Sequence, residues 1–471
     1  MVTTAAPPLD RLAMDAEALR RLGYAAVDAI VAHRGSLDAG AVCAPAGRAE
    51  MEARLREPLP EAGSDPQTVL ATALRDVLPP GLRIDHRRFF AFTPMPSDPV
   101  GAVADLLAAG FGVFAGTWLA SPGASTVELV VLDWLRELCG LPSGTEGVLV
   151  SGGSEATLTA LAVALEERAG SERPRATIYL SDEAHSSVER ALRVAGVPRA
   201  HVRVLPSDDR QRLDPADVAA AVAADRAAGR LPACVVASAG TTGTGTVDPL
   251  PELRRLCDAE GLWLHVDGAY GAAAMLCPQG RERLDGLGLA DSLTLDPHKW
   301  LFQPLELGCL LVADGAALER TFAAAPAYLR DAAPAADEVN FADRGIQLTR
   351  QFRALKLWMS LKVHGAAAFR AAIEHGMALA EHAERVIARH PALTLITPAQ
   401  LGIVTFRAGL RHELNARLPA LVAVDGYAFL SSTRVGGTPV LRLCTINPRT
   451  TREDVERTLD VVASLAKEHA A

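Results

Sequence analysis

The chain has 471 residues, of which 49% are hydrophobic, and a formal net charge of -9. This length predicts roughly two to three domains with a large core, and the acidic balance argues against a nucleic-acid partner. The seven cysteines show no CxxC or Cys/His metal spacing, so we expect buried free thiols and no metal site. Free thiols also favour a location in the reducing cytoplasm. We expect no membrane partner, because no apolar run reaches the roughly 18 residues of a membrane span and the first residues lack a signal-peptide pattern.

The first 85 residues are rich in Ala, Leu and Arg and predict short helices. Apolar residues at helical spacing predict one helix over residues 15–32, and shorter helices are predicted over residues 51–55 and 68–78. These helices have few residues for a core of their own. We therefore expect residues 1–85 to form a helical segment that packs on another domain or on a second subunit.

From about residue 86 onward, apolar strands alternate with helices. Strands are predicted over residues 147–150, 177–180, 202–205, 233–238, 262–266, 292–295 and 309–312. This alternation predicts an α/β fold with a mostly parallel sheet, covered on both faces, in a large domain of residues 86–360. Residues 328–344 predict a long loop, residues 347–364 and 369–389 predict helices, and residues 361–471 predict a small α+β domain.

Lys299 follows the predicted strand 292–295 directly. Pro297 ends this strand, so Lys299 is expected on a loop at its carboxyl end, where ligands bind in open α/β sheets. Apolar side chains at residues 300–302 are expected to lower the pKa of the lysine by desolvation, which frees the amine as a nucleophile. A lone lysine is usually a surface residue, but one in this position is suited to Schiff-base formation with a carbonyl, pyridoxal phosphate (PLP) first among them.

Four other sequences also follow predicted strands. Residues 151–154 are small and open a helix, which suits a phosphate but also fits a plain capped turn. Asp267 could hold a protonated pyridine nitrogen or serve a turn, and His185 could stack on a cofactor ring and transfer protons or be structural. The hydroxyl-rich residues 240–246 could be a simple turn. Because all five sequences fall at strand ends of one sheet, we expect them to face a single crevice.

These motifs resemble those of the group II PLP-dependent amino acid decarboxylases, most closely the aromatic-L-amino-acid decarboxylases. The resemblance runs from about residue 10 to the end of the chain. The shared sequences are Phe-Phe-Ala-Phe at 89–92, Trp-Leu-Ala-Ser-Pro at 118–122, Ser-Glu-Ala-Thr at 154–157, Ala-His-Ser-Ser-Val-Glu-Arg at 184–190, His-Val-Asp at 265–267, Pro-His-Lys-Trp at 297–300, Ala-Tyr-Leu at 327–329 and Phe-Arg-Ala-Leu-Lys at 352–356. The resemblance implies the fold-type I architecture, with a seven-stranded sheet, and a homodimer with shared active sites.

The resemblance also implies a role for each matching residue. Lys299 would hold PLP, Asp267 would pair with the ring nitrogen, and His185 would stack on the ring. Tyr328 would donate the proton that replaces carbon dioxide. The remaining cofactor contacts would come from Gly153, Ser154, Thr242, Ala269 and His298, and the substrate contacts from Phe92, Thr93, Phe114 and Thr349, with Thr349 supplied by the partner subunit.

One residue and one short segment depart from the family pattern. Asp296 stands where the family often has Asn, and a carboxylate near the phosphate would repel it. Residues 92–95 read Phe-Thr-Pro-Met rather than the usual Tyr-Phe-Pro-Thr, which leaves the preferred substrate side chain open.

The resemblance implies decarboxylation of an L-amino acid, of the tryptophan, tyrosine, phenylalanine or DOPA type, to the amine and carbon dioxide. One alternative is an aldehyde synthase, in which oxidative deamination follows, but Tyr rather than Phe at position 328 favours the amine. Another is a decarboxylase of a non-aromatic amino acid such as 2,4-diaminobutyrate, valine or histidine. A silent binding scaffold is disfavoured because Lys299, Asp267, His185 and Tyr328 are all retained.

Overall fold

The computed structural model describes residues 12–324 and 334–469, so Tyr328 lies outside the described residues. The described chain comprises a helical N-terminal segment, a large domain around a seven-stranded sheet, and a smaller unit around a four-stranded antiparallel sheet. This arrangement confirms the predicted α/β fold, while the predicted boundaries near residues 85 and 360 stay predictions. No helix within the described ranges is long and apolar enough to cross a membrane.

The N-terminal segment begins with α1 (Ala16–Ser36), which Asp15 caps by accepting hydrogen bonds from two backbone N–H groups of its first turn. It continues through α2 (Arg48–Leu55) and α3 (Pro66–Thr72), and a short ladder joins β1 (Cys43–Ala44) to β2 (Gly81–Leu82). No residue of α1 is buried, although several of its apolar side chains are large. The helix therefore presents an uncovered apolar face.

The seven-stranded sheet is built from the apolar runs of the sequence. In chain order its strands are β3 (Glu146–Val150), β4 (Ala176–Ser181), β5 (Val202–Leu205), β6 (Leu231–Ser238), β7 (Trp263–Asp267), β8 (Ser292–Leu295) and β9 (Gly308–Val312). Their order across the sheet is β3-β9-β8-β7-β6-β4-β5, and only β9 runs antiparallel to its neighbours. The carboxyl ends of the other six strands therefore lie at one edge, which places the five predicted sequences together.

Helices cover the faces of this sheet and connect its strands. They are α4 (Pro99–Gly110), α5 (Pro122–Cys139), α6 (Gly153–Ala169), α7 (Ser187–Val194), α8 (Pro215–Ala227), α9 (Leu250–Glu260), α10 (Pro278–Arg283), α11 (Pro297–Trp300) and α12 (Ala316–Phe322). The residues around Lys299 were predicted as a loop, and this was wrong, because they form the single turn α11. Proline fits the first position of a helix, where its missing N–H costs nothing, so Pro297 starts this turn after ending the strand.

Two predictions about the segment after β9 also need correction. Residues 341–344 of the predicted loop form a buried 3-10 turn, anchored by ion pairs of Arg344 with Glu146 and Glu319. The predicted helix 347–364 begins only at Ala354, because the residues before it form bends and a turn and Arg350 is buried against Glu128.

The smaller unit consists of α13 (Ala354–Arg389), α14 (His412–Asp425) and α15 (Arg452–Glu468) around the strands β10 (Leu393–Gln400), β11 (Ile403–Ala408), β12 (Ser431–Val435) and β13 (Thr438–Cys444). Its apolar core includes Phe406 and Leu441. Buried residues of α13 as far as Met377 pack in the core of the large domain and later ones in the core of the smaller unit. The helix is interrupted at Gly365, whose φ of 74° and ψ of 153° are not helical.

Candidate active site

A cavity of about 540 Å³ lies at the carboxyl edge of the large sheet. The turns after β3, β4, β6, β7 and β8 all contribute to its wall. Eight of the residues predicted to contact the cofactor line it, namely Lys299, Asp267, His185, Gly153, Ser154, Thr242, Ala269 and His298. The structure therefore brings together side chains that lie up to about 150 residues apart in the sequence, as the sheet topology requires.

Lys299 faces a carboxylate across the turn of α11. Its Nζ lies 3.0 Å from Asp296 Oδ2, because residues three apart meet on one helical turn. Burial alone would lower the pKa of Lys299, but the charges of Asp296 and Asp267 and the hydrogen bond with Asp296 outweigh it and raise the pKa above its ordinary value. The prediction that the pKa of Lys299 is lowered was therefore wrong for the protein without a bound cofactor.

His298 is held beside the same carboxylate. Its Nδ1 accepts a hydrogen bond from the Leu307 N–H at 3.2 Å, and its Nε2 lies 3.7 Å from Asp296 Oδ2. Burial, opposed by Asp296, lowers the pKa of His298, so the neutral ring with its proton on Nε2 is favoured.

Asp267 and His185 come from neighbouring regions of the cavity wall. Asp267 is the last residue of β7 and accepts a hydrogen bond from the Ala269 N–H at 3.1 Å, which fixes the direction of its carboxylate. His185 follows β4, and its Nδ1 lies 2.7 Å from the Ser187 hydroxyl and accepts from the Ser187 N–H. Ser187 therefore orients the imidazole and leaves its Nε2 to carry the proton when the ring is neutral.

The turn between β3 and α6 offers a place for a phosphate. Gly152 and Gly153 line the cavity where α6 begins, and the first N–H groups of a helix lack partners within it. A Cβ atom on Gly153 would lie 2.9 Å from Asp296 Oδ2 and 3.2 Å from the Ala269 Cβ, so a larger residue would displace the Asp296 carboxylate. The cradle thus has the small residues and donors that an anionic group requires.

The loop after β6 is rigid because its threonines bond to one another. The hydroxyl of Thr244 lies 2.9 Å from that of Thr241 and 2.8 Å from that of Thr246. This chain holds the loop in shape and leaves Thr242 on the cavity wall.

Arg442 was missed by the sequence reasoning. It lies on β13, is 3% exposed, and donates from Nε to the Thr242 carbonyl at 2.8 Å and from Nη1 to the Phe92 carbonyl. Its buried Nη2 has no hydrogen-bond partner among the described residues. The side chain lines a second cavity of about 440 Å³ that shares His185 and Thr242 with the first. An arginine inside an otherwise apolar strand was the signal that could have identified it.

The predicted substrate residues lie outside the first cavity of the single chain. Phe92, 57% exposed, lines the second cavity beside Arg442, whereas Thr93, Phe114 and Thr349 line neither of these two cavities within the described residues. The Phe114 ring instead lies over Gly116, where a Cβ atom would collide with it. The predicted substrate roles of Phe114 and Thr349 therefore stay predictions.

The chain matches the pyridoxal-dependent decarboxylase conserved domain over residues 49–409. This protein belongs to that family. The decarboxylase is 43% identical to an aromatic-L-amino-acid decarboxylase of Bacillus atrophaeus, over 98% of both chains, and 30% identical to a phenylacetaldehyde synthase of Petunia hybrida, over 96% and 95%. Its fold superposes on that of Oryza sativa TDC with PLP and tryptamine, with a TM-score of 0.91, 28% identity and 99% of each chain covered.

These similarities confirm the predicted family, fold-type I architecture, PLP cofactor and decarboxylase activity. The cavity of the decarboxylase suits PLP, because a lysine, a carboxylate and a glycine cradle at a helix start are the groups that its aldehyde, ring nitrogen and phosphate need. The role of each individual residue stays a prediction.

Proposed function

We propose that this PLP-dependent decarboxylase converts an aromatic L-amino acid to its amine and carbon dioxide. The similarity to the Bacillus atrophaeus enzyme over nearly the whole chain supports the substrate class. The convergence of Lys299, Asp267 and His185 on one cavity is the observation that supports the assignment of residues.

Each side chain has a task that its position suits. Lys299 would bind the cofactor aldehyde and be displaced by the substrate amine, and Asp267 would keep the pyridine nitrogen protonated. Bound PLP supplies an electron sink for the pair of electrons that carbon dioxide leaves behind. Arg442, with its unpaired Nη2, would bind the substrate carboxylate and set its direction relative to the ring.

The proton that replaces carbon dioxide at Cα would come from Tyr328 as general acid. His185, with its imidazole oriented by Ser187, is the second candidate donor.

We further propose that the active unit is a homodimer in the cytoplasm. Apolar side chains are exposed along α1 and α4, and such patches mark interaction sites. A second subunit covering them would also bring Phe114 and Thr349 to the neighbouring cavity. Seven cysteines, all free and buried, support a reducing compartment.

A panel of L-amino acids tests the substrate assignment. The purified enzyme with PLP should release carbon dioxide and the matching amine from tryptophan, tyrosine, phenylalanine or DOPA faster than from valine, histidine or 2,4-diaminobutyrate. Faster turnover of any non-aromatic member of the panel would replace the aromatic assignment.

Aldehyde synthesis is the second candidate, because the similarity to the Petunia hybrida phenylacetaldehyde synthase also spans nearly the whole chain. With Tyr328 as proton donor, we expect amine as the main product under air and a shift to aldehyde and peroxide in Tyr328→Phe, which keeps the ring but cannot donate a proton. Product analysis decides the question. Aldehyde as the main product of the unmodified enzyme, or an unchanged amine yield from the variant, would show that His185 rather than Tyr328 decides whether amine or aldehyde forms.

A further inference from the structure

Asp296 is the most deeply buried charged group of the cavity. It is 2% exposed, and its Oδ2 lies 3.0 Å from Lys299 Nζ and 3.7 Å from His298 Nε2. Its other oxygen, Oδ1, is buried and has no hydrogen-bond partner among the described residues. A buried carboxylate oxygen without a donor is costly, so its presence here calls for a functional explanation.

The carboxylate also lies directly against the phosphate cradle. Its Oδ2 is 2.9 Å from the position that a Cβ atom on Gly153 would occupy, and Gly153 is the first residue of α6. A phosphate held by this helix start would therefore lie within a few ångströms of Asp296. Two negative charges at about 4 Å repel strongly in a partly buried site.

The neighbouring positive charges cannot cancel this repulsion once the cofactor is bound. Lys299 lies against Asp296 in the free protein, but its nitrogen would then be bonded to the cofactor aldehyde, so any charge it kept would face the ring rather than the phosphate. His298 is favoured as the neutral ring, because burial lowers its pKa. Asp267 adds negative rather than positive charge to the cavity.

We propose that Asp296 is a specificity-determining residue that weakens the binding of the cofactor's phosphate group, so that PLP is bound less tightly than the rest of the site would allow. The inference rests on the proposed placement of PLP, with its phosphate at Gly153 and its aldehyde at Lys299. It assigns to Asp296 an effect on the phosphate and no part in the chemistry at Cα.

The test compares two ligands on the cofactor-free protein. PLP and pyridoxal share the ring and the aldehyde, but only PLP has the phosphate. Dissociation constants for both are measured by equilibrium dialysis on the wild type and on Asp296→Asn, which removes the charge and retains the shape. We expect Asp296→Asn to bind PLP on the order of tenfold more tightly, while the affinity for pyridoxal changes less than about threefold.

Asp267→Asn is the matched control, because it also removes a carboxylate charge that acts on Lys299 but lies at the ring end of the cavity. It should weaken PLP and pyridoxal by similar factors. Asp296→Ser, which is also uncharged, provides a second variant if Asp296→Asn does not fold, as judged by circular dichroism, and should show the same preference for PLP.

Each other outcome has a definite meaning. Equal changes for PLP and pyridoxal in Asp296→Asn would show that Asp296 acts only through Lys299, and weaker PLP binding would show that the carboxyl group helps to hold the phosphate. Either result overturns the inference and leaves the proposed function intact. An Asp296→Asn protein that binds PLP no better than pyridoxal would overturn the placement of the phosphate itself.

Discussion

Two carboxylates, Asp296 and Asp267, act on the amine of Lys299 and decide its protonation state. Their charges outweigh the effect of burial and raise the pKa of the lysine, so in the free protein the amine is an ammonium at neutral pH. It must lose a proton before it can attack a carbonyl carbon. Asp296, 3.0 Å away, is the nearest acceptor for that proton.

Replacement of Lys299 tests its assigned role. Lys299→Ala removes the amine, so the purified variant should lack the visible absorption of lysine-bound cofactor and should show no turnover. Spectra and carbon dioxide release measure both effects. A variant that retained the absorption and the turnover would contradict the assignment, whereas Lys362→Ala, a replacement outside the cavity, should leave both intact.

His86 links stability to pH. Burial, aided by nearby Arg88, lowers the pKa of this histidine from 6.5 to about 4. Because the folded-state pKa lies below the unfolded value, the stabilisation is present above pH 6.5 and is lost as the pH falls toward 4. The shift corresponds to at most roughly 3.5 kcal/mol of unfolding free energy.

Urea denaturation between pH 8 and pH 4.5 measures this effect. His86→Asn can still accept the Arg88 N–H bond that His86 Nδ1 accepts at 3.0 Å, but it cannot take up a proton. Its stability should therefore fall less steeply below pH 6.5 than that of the wild type. Parallel curves over the acidic range would contradict the prediction, and the range from pH 7 to 8 serves as the internal control.

Among the elements, the strands of the large sheet were predictable to within about two residues. Most of these strands are buried on both faces and read as largely apolar runs bounded by polar turns, although β5 at the sheet edge is only partly buried. The single turn α11 was not predictable from periodicity, because four residues are too few to show a helical repeat. That is why the contact of Asp296 with Lys299, and the raised pKa that follows, was missed.

Arg442 was missed for a different physical reason. It approaches the cavity from the small sheet, 200 residues beyond Thr242, whose carbonyl it binds. No pattern within the large domain indicates which residue of a later strand will face it. The residues that line the cavity from the large sheet could be predicted from the sequence because they follow strands that end at one edge. Residues that reach the cavity from the second sheet could not be predicted in this way.

The residues just before α13 are fixed to the large domain by a buried ion pair. Arg350 Nη2 lies 2.6 Å from Glu128 Oε1 and 2.7 Å from the Leu149 carbonyl, so it joins this segment to α5 and β3. Arg350→Met leaves the Glu128 carboxylate buried without its partner and should cost about 3–5 kcal/mol of unfolding free energy.

Chemical denaturation measures this loss. The double variant Glu128→Leu/Arg350→Met removes both charges and should be more stable than Arg350→Met alone, because no unpaired charge stays buried. If the single variant proved as stable as the wild type, the ion pair would not hold this segment. Because β3 leads into the phosphate cradle, Arg350→Met should also retain PLP less well.

For the whole molecule, the exposed apolar side chains of α1 and α4 predict a dimer. Phe111, at the end of α4, is 81% exposed. Phe111→Asp places a charge on this surface and should shift the protein in sedimentation velocity from about 99 kDa, twice the 49.6 kDa of one chain, toward the monomer. Turnover should fall as the dimer dissociates, since Phe114 and Thr349 would no longer reach the cavity of a neighbouring subunit.

Leu410→Asp provides the control, because Leu410 is 99% exposed on the small unit, after β11. This variant should sediment and turn over as the wild type does. A Phe111→Asp protein that remained dimeric and active would place the contact between subunits elsewhere on the surface.

The course of α13 beyond Gly365 has a consequence for the length of the substrate. Phe369 and Met377 follow this break but still belong to the core of the large domain, where the Phe369 ring stacks on that of Phe302. Ile403 and Cys444 of the small sheet belong to the same core, so Lys299 and Arg442 are parts of one packed body. The length of amino acid that fits between an amine anchor and a carboxylate anchor would thus be set by apolar packing outside the pocket.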